Sequence, residues 1–130
     1  MGGAGMTKAE ALYTFFASFG IPAYAVDFVP DGAPFPRITY EIVTGDYGAT
    51  HSFSASLWYR TDTLTGMLAM VERIAETVGL GGVKLPCDGG HIHLYRGTPW
   101  AQPMRDPDDD KVKREYLNFT ARCNTAPVSE

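Results

Sequence analysis

Cys87, Asp88, His91 and His93 lie within seven residues of one another in the run LPCDGGHIHLYRGTPW, Leu85 to Trp100. A thiolate and two imidazoles are the side chains that hold zinc or another transition metal, provided three or four of them converge on one point. Convergence depends on hairpin register. A two-residue turn at Asp88-Gly89 pairs Cys87 with Gly90, Leu85 with Ile92 and Val83 with Leu94, which puts every apolar residue on one face, as a half-buried sheet requires. Cys87 then points toward the core, His91 and His93 point the other way, and Lys84 stands opposite His93, where its ammonium would repel a cation. A three-residue turn, Asp88-Gly89-Gly90, brings Cys87, His91 and His93 together but sets Leu85 against His93 and Val83 against Tyr95. The apolar match selects the first register. It predicts no metal site, a buried thiol and two outward histidines.

Other chemistry finds no support. The chain has no G-x-S-x-G elbow, Walker loop, H-E-x-x-H or dinucleotide fingerprint. Gly79-Leu80-Gly81-Gly82 follows a helical pattern instead of opening one, so it reads as a helix stop and not a phosphate cradle. Asp106, Asp108, Asp109 and Asp110 are interrupted by Pro107 and lack the ligand spacing of an EF-hand. The expectation is a protein that is not an enzyme and carries no cofactor.

The elements that position these residues follow from periodicity. Thr7-Lys8-Ala9-Glu10 is a capping box, and Leu12, Phe15, Phe16 and Phe19 form one apolar stripe that Gly20 and Pro22 terminate. Residues 23–36 are irregular, with Pro30, Gly32, Pro34 and Pro36 and a short extended piece around Tyr24 to Phe28. Arg37 to Val43 alternates with Ile38, Tyr40 and Ile42 on one face. His51 to Tyr59 alternates with Phe53, Ala55 and Leu57 opposed to Ser52, Ser54 and Ser56, so the two segments form an antiparallel pair. A second helix, capped by Thr61 or Thr63, presents Leu64, Met67, Leu68, Val71, Ile74, Ala75 and Val78 and stops at Gly79. Two strands of the Cys87 hairpin follow, then a loop over 97–110 with Pro99, Pro103 and Pro107, then a last strand around Tyr116 to Ala121. The order α, β, β, α, β, β, β indicates an α+β fold, a largely antiparallel sheet with two amphipathic helices packed on one face. Residues 1–6 read as an arm, 7–123 as a single domain and 124–130 as a tail.

At 130 residues, with net charge −4 and two cysteines, the chain is long enough for one core and too acidic for a general nucleic-acid binder. The basic cluster Lys111, Lys113 and Arg114 follows the acidic run directly and reads as a solvated charged segment. Two cysteines do not make a disulfide scaffold, no apolar run approaches the roughly 18 residues of a membrane span, and no signal peptide is apparent. What remains is apolar surface. Trp58 falls in phase with Ser52, Ser54 and Ser56 on the polar face of its strand. Trp100 sits in a Pro-rich stretch near Tyr95 and Arg96. Trp, Tyr and Arg on polar surface are typical interface anchors, so Trp58, Tyr95, Arg96 and Trp100 are candidate interface residues; the alternative is that each Trp caps a minor core.

The runs LYTFFASFGIPAYAVDFVPDGAPFPRITYEIV, SASLWYRTDTLTGMLAMVERIAE and GGVKLPCDGGHIHLYRGTPWAQPMRDPDDDKVKREYLNFTA resemble small tail-completion or tail-terminator proteins of tailed phages and prophages of Gram-positive bacteria, over about residues 6 to 122. The resemblance is one of overall pattern, and it carries no residue-level motif. It implies a terminator-like fold and a virion component, assembled in the bacterial cytoplasm, that forms a ring, typically of six copies. The ring would cap the head-proximal end of the tail tube, stop its polymerisation and meet the head–tail connector. The partners implied are further copies of the chain, the tube protein and the connector, with DNA only passing through and no membrane. An acidic loop of Asp106, Asp108, Asp109 and Asp110 facing the channel would repel that DNA. Two other classes remain open from the residues alone: a metal-binding module or enzyme using Cys87, His91 and His93, and a monomeric or dimeric regulatory binding protein.

Overall fold

The computed structural model describes residues 6–43, 48–105, 109 and 111–125. Helix α1 (Lys8–Ala17) begins with the expected capping box: Glu10 N–H donates to Thr7 Oγ1 at 3.1 Å and Thr7 N–H donates to Glu10 Oε1 at 2.9 Å. Strand β1 (Ala23–Ala25) leads through a 3-10 turn (Val26–Phe28) to β2 (Arg37–Tyr40). Then come β3 (Ala49–Arg60), α2 (Thr65–Val78), β4 (Val83–Cys87), β5 (Gly90–Arg105) and β6 (Val112–Thr125). One six-stranded sheet runs in the order β1-β2-β3-β6-β5-β4. Its pairings are antiparallel except β1 with β2, so the fold is α+β as the pattern of elements requires.

Both helices bury their stripes in a single core with one face of this sheet. Leu12, Phe15, Phe16 and Phe19 meet Met67, Val71, Ile74 and Val78 over Phe53, Leu57, Leu117 and Phe119. Phe16 is the pivot, stacked on Tyr40 at 4.7 Å and edge-on to Phe119 at 5.6 Å. The opposite face of the sheet carries no helix among the described residues.

The structure corrects several sequence expectations. Leu68 is 45% exposed and Leu64 40% exposed, because the buried stripe of α2 runs through Met67, Val71, Ile74, Ala75 and Val78, and both leucines stand off it. Neither Thr61 nor Thr63 caps α2. Leu64 holds that position without a side-chain bond, and Thr61 Oγ1 instead accepts from Thr63 N–H. Strand β2 ends at Tyr40, leaving Ile42 exposed while Val43 turns into the core. The stretch from Gly97 to Arg105, expected as loop, belongs to β5. A register shift between Arg96 and Ala101 absorbs the irregularity, and Ala101 to Arg105 pair with β6. Two prolines are tolerated there because β4 covers β5 only as far as Leu94, so the outer edge of the later residues needs no ladder donor. The last strand runs from Val112 to Thr125, longer at both ends than the expected Tyr116 to Ala121. Met6, read as part of a loose arm, donates its N–H to Asp88 Oδ1 at 2.8 Å and accepts from Asp88 N–H at its carbonyl at 2.7 Å.

The Cys87 hairpin has the two-residue turn, with Val83 opposite Leu94, Leu85 opposite Ile92 and Cys87 opposite Gly90. Gly90 is required: its φ is +156°, and a Cβ there would land on the Asn124 carbonyl of β6.

Candidate functional site

Register builds the uncovered face row by row. Arg37 of β2, Trp58 of β3 and Arg114 of β6 are direct cross-strand partners. In the next row stand Thr39, Ser56 and Tyr116. Trp58 is therefore on the face the alternation assigned to it, and its indole lies between two guanidinium groups, with Arg114 4.6 Å and Arg37 5.6 Å from the ring centroid. Each group is held in place. Trp58 Nε1–H donates to Thr39 Oγ1 at 2.9 Å, Arg114 Nε–H to Ser56 Oγ at 3.0 Å, and Arg37 Nη1–H to the Ala33 carbonyl at 2.9 Å. Arg114 also lies over Tyr116 and Arg37 over Phe35. Val26 and Val29 wall one side of the resulting groove, which encloses about 470 Å³. A second groove of about 480 Å³ continues along the same face past Ser52, Asn118 and Thr120 to Pro99. Glu41 lies where the two meet, its Oε1 accepting from Ser54 N–H at 2.7 Å and Ser54 Oγ at 3.2 Å.

The other three candidates gather elsewhere. Tyr95, Arg96 and Trp100 line a hollow of about 250 Å³ together with Gly79 and Leu80 at the end of α2. Trp100 folds back onto Phe119, edge-on at 5.1 Å, and Nε1 is buried with no acceptor among the described residues. Tyr95 stacks on His93 at 4.2 Å and its hydroxyl reaches His93 Nδ1 at 3.0 Å. His93 Nε2 lies 2.9 Å from the Gly81 carbonyl, which can only accept, so Nε2 carries the proton and Nδ1 accepts from Tyr95. Beside this hollow Leu80 is 95% exposed.

The three side chains of the metal hypothesis do not face one another. Cys87 packs against the core, whereas His91 and His93 alternate onto the open face, where His91 Nε2 meets Asn124. No group of three or more metal-binding side chains converges among the described residues. Burial raises the Cys87 thiol above its usual value, against a smaller lowering by Lys8. It is thus held in the form that neither ligates nor attacks well.

Of the acidic run, Asp106, Asp108 and Asp110 lie outside the described residues. Asp109 is committed, its Oδ2 2.9 Å from Arg60 and its Oδ1 accepting from Lys111 N–H. Lys111 in turn pairs with Asp62 at 3.2 Å. The basic cluster is accordingly not one solvated segment, since Arg114 belongs to the sheet face.

Sequence reading missed Arg37, Thr39, Arg114 and Tyr116 as partners of Trp58. The available signal was phase: Tyr116 alternates with Leu117 and Phe119, and Arg114 shares the phase of Tyr116. That β6 forms the other flank of β3 was not available from periodicity.

No helix among the described residues is long and apolar enough to cross a membrane. No protein-family model matches the chain, and no curated protein matches it. Among solved structures, a chain from the virion of a native gene transfer agent particle is similar, with a TM-score of 0.59 over 82% of this chain and 82% of that one at 20% sequence identity. At that identity the likeness is one of fold, and it extends over most of both chains.

Proposed function

We propose that this chain is a non-enzymatic structural subunit of a virion, and more specifically a tail terminator that forms a ring at the head-proximal end of the tail tube. The observation that carries the reading is the shared fold over 82% of both chains with a component of a virion particle. The architecture supports it. A closed ring needs two different patches on each subunit, each meeting its complement on a neighbour. The Trp58 groove on the open sheet face and the Tyr95–Arg96–Trp100 hollow at the end of α2 are two such patches, built from different elements. Both carry the aromatic and arginine side chains that dominate association energies. In this role the subunit works by complementarity alone: it occupies the growing end of the tube, denies it to further tube subunits and offers its other side to the head connector.

Particles made without the protein test the proposal. Negative-stain microscopy should show tubes that overgrow their normal length, or tails that never join heads, beside capsids that form and fill. Tails of normal length joined to heads exclude the terminator role and favour a regulatory binding protein.

A further inference from the structure

The chain as a whole is acidic, with 15 carboxylate side chains against 11 lysines and arginines, yet its uncovered sheet face is not. Arg37, Lys84, Arg114 and Arg122 share that face by strand register, as do His91 and His93. Among the described residues none of these four cations has an ion-pair partner. Arg60, at the end of β3, is the cation of this face that does, through Asp109. Glu41, directly after β2, is the acid beside them, and its bonds go to Ser54. Two of these cations come together where Arg37 and Arg114 bracket Trp58. There Arg37 Nε is buried without an acceptor among the described residues.

We infer that the Arg37–Trp58–Arg114 groove is a docking site for a carboxylate-rich segment of another polypeptide. Guanidinium groups pair with carboxylates through charge-assisted, often bidentate bonds, and here two are pre-positioned on one aromatic ring, so little side-chain freedom is lost on binding. Arg37 and Arg114 stand two strands apart, about 10 Å by ordinary strand spacing, a span that carboxylates two to three residues apart on an extended chain can bridge. Val26, Val29 and the Trp58 ring supply the apolar flank. A nucleic-acid duplex suits the groove less well, because a double helix is too broad to enter a walled concavity of about 470 Å³ that a single extended chain can occupy. The chain's own run Asp106-Pro107-Asp108-Asp109-Asp110 has the required chemistry, so a second copy could supply the segment. This would give the run a role between subunits in place of the channel-facing one expected from sequence. The site stands apart from the ring reading: the groove can bind acidic peptide whatever tail length shows, and the reverse.

The test is a titration of the full chain, labelled with 15N, with an acetylated and amidated Asp-Pro-Asp-Asp-Asp peptide. The readout is the indole N–H resonance of Trp58, identified by its loss in Trp58→Phe. It should shift saturably while that of Trp100 stays in place. The same peptide with asparagine at each aspartate should leave both unchanged. Arg37→Gln with Arg114→Gln should weaken binding at least about tenfold, as the loss of one or two charge-assisted bonds implies. If that double variant does not fold, the asparagine control on the unaltered protein decides. No saturable shift, or an equal shift with the asparagine peptide, overturns the inference. So does a short DNA duplex that binds at equal or lower concentration than the peptide, which would assign the face to nucleic acid.

Discussion

Glu115 is the residue whose position runs most against its chemistry. It alternates onto the core face of β6, opposite Leu57 on one side and Pro103 on the other, and is only 4% exposed. Its Oε1 has no hydrogen-bond partner among the described residues. Burial disfavours the charged form and raises its pKa from the ordinary glutamate value. The folded chain therefore holds this proton to a higher pH than the unfolded chain does. In the window between the two values the native state binds more protons, and stability falls as pH rises. Glu115→Gln removes the ionisation while keeping the shape. Its urea-unfolding free energy should exceed that of the unaltered chain at neutral pH, and the difference should vanish in mild acid. An unchanged pH slope would assign that dependence to another group. At this scale the sequence was a good guide to hydrophobic positions and a poor one to exceptions. The alternation that placed Leu117 and Phe119 inward also points Glu115 inward, but a carboxylate in that phase reads as strand-end polarity until its neighbours are known.

Among the elements, the two helices depend on the sheet more than on their own ends. Helix α1 has a full capping box but only ten residues, too few to persist alone, and its stability comes from the aromatic face it buries. Phe16 bridges Tyr40 of β2 and Phe119 of β6 and is 0% exposed. Phe16→Ala should cost about 3–5 kcal/mol, from lost transfer energy plus the cavity left between two strands. Chemical denaturation monitored by circular dichroism measures it. A loss under about 1 kcal/mol would mean that the ring is not held in the core. The elements were largely legible because their signals are local: the capping box, the i, i+3, i+4 stripe of α1, the turn at Asp88-Gly89. The failures were non-local. Pro99 and Pro103 spoke for a loop, and they sit in β5 because the pairing of β4 with β5 ends at Leu94 and leaves the later edge free, which only the assembled sheet reveals. Strand β1 pairs parallel with β2 through three residues, too few for any periodicity to show.

The whole molecule is asymmetric. One side of the sheet is sealed by helices, and the other is a grooved, hydroxyl-rich surface whose Arg37, Arg114 and Arg122 have no ion-pair partner among the described residues. The candidate interface residues Trp58 and Trp100 fall on different sides of this division. Trp58 stands on the open face with its Nε1–H held by Thr39, while Trp100 is lodged against Phe119 of the core. Their truncations should therefore differ in kind. Trp100→Ala removes packing from the core cluster and should lower the thermal midpoint of the isolated subunit, whatever it also does to assembly. Trp58→Ala deletes a ring whose contacts are two guanidinium groups and one hydroxyl, and should leave the midpoint close to that of the unaltered chain. If the open face joins subunits, losing its central aromatic anchor should weaken association by about 2 kcal/mol or more. In particles assembled with Trp58→Ala, tail lengths should then scatter toward the overgrown values seen without the protein, although the subunit itself remains folded. A Trp58→Ala subunit that folds and still yields tails of uniform, normal length would remove this face from the assembly and leave the Tyr95–Arg96–Trp100 hollow as the patch to pursue.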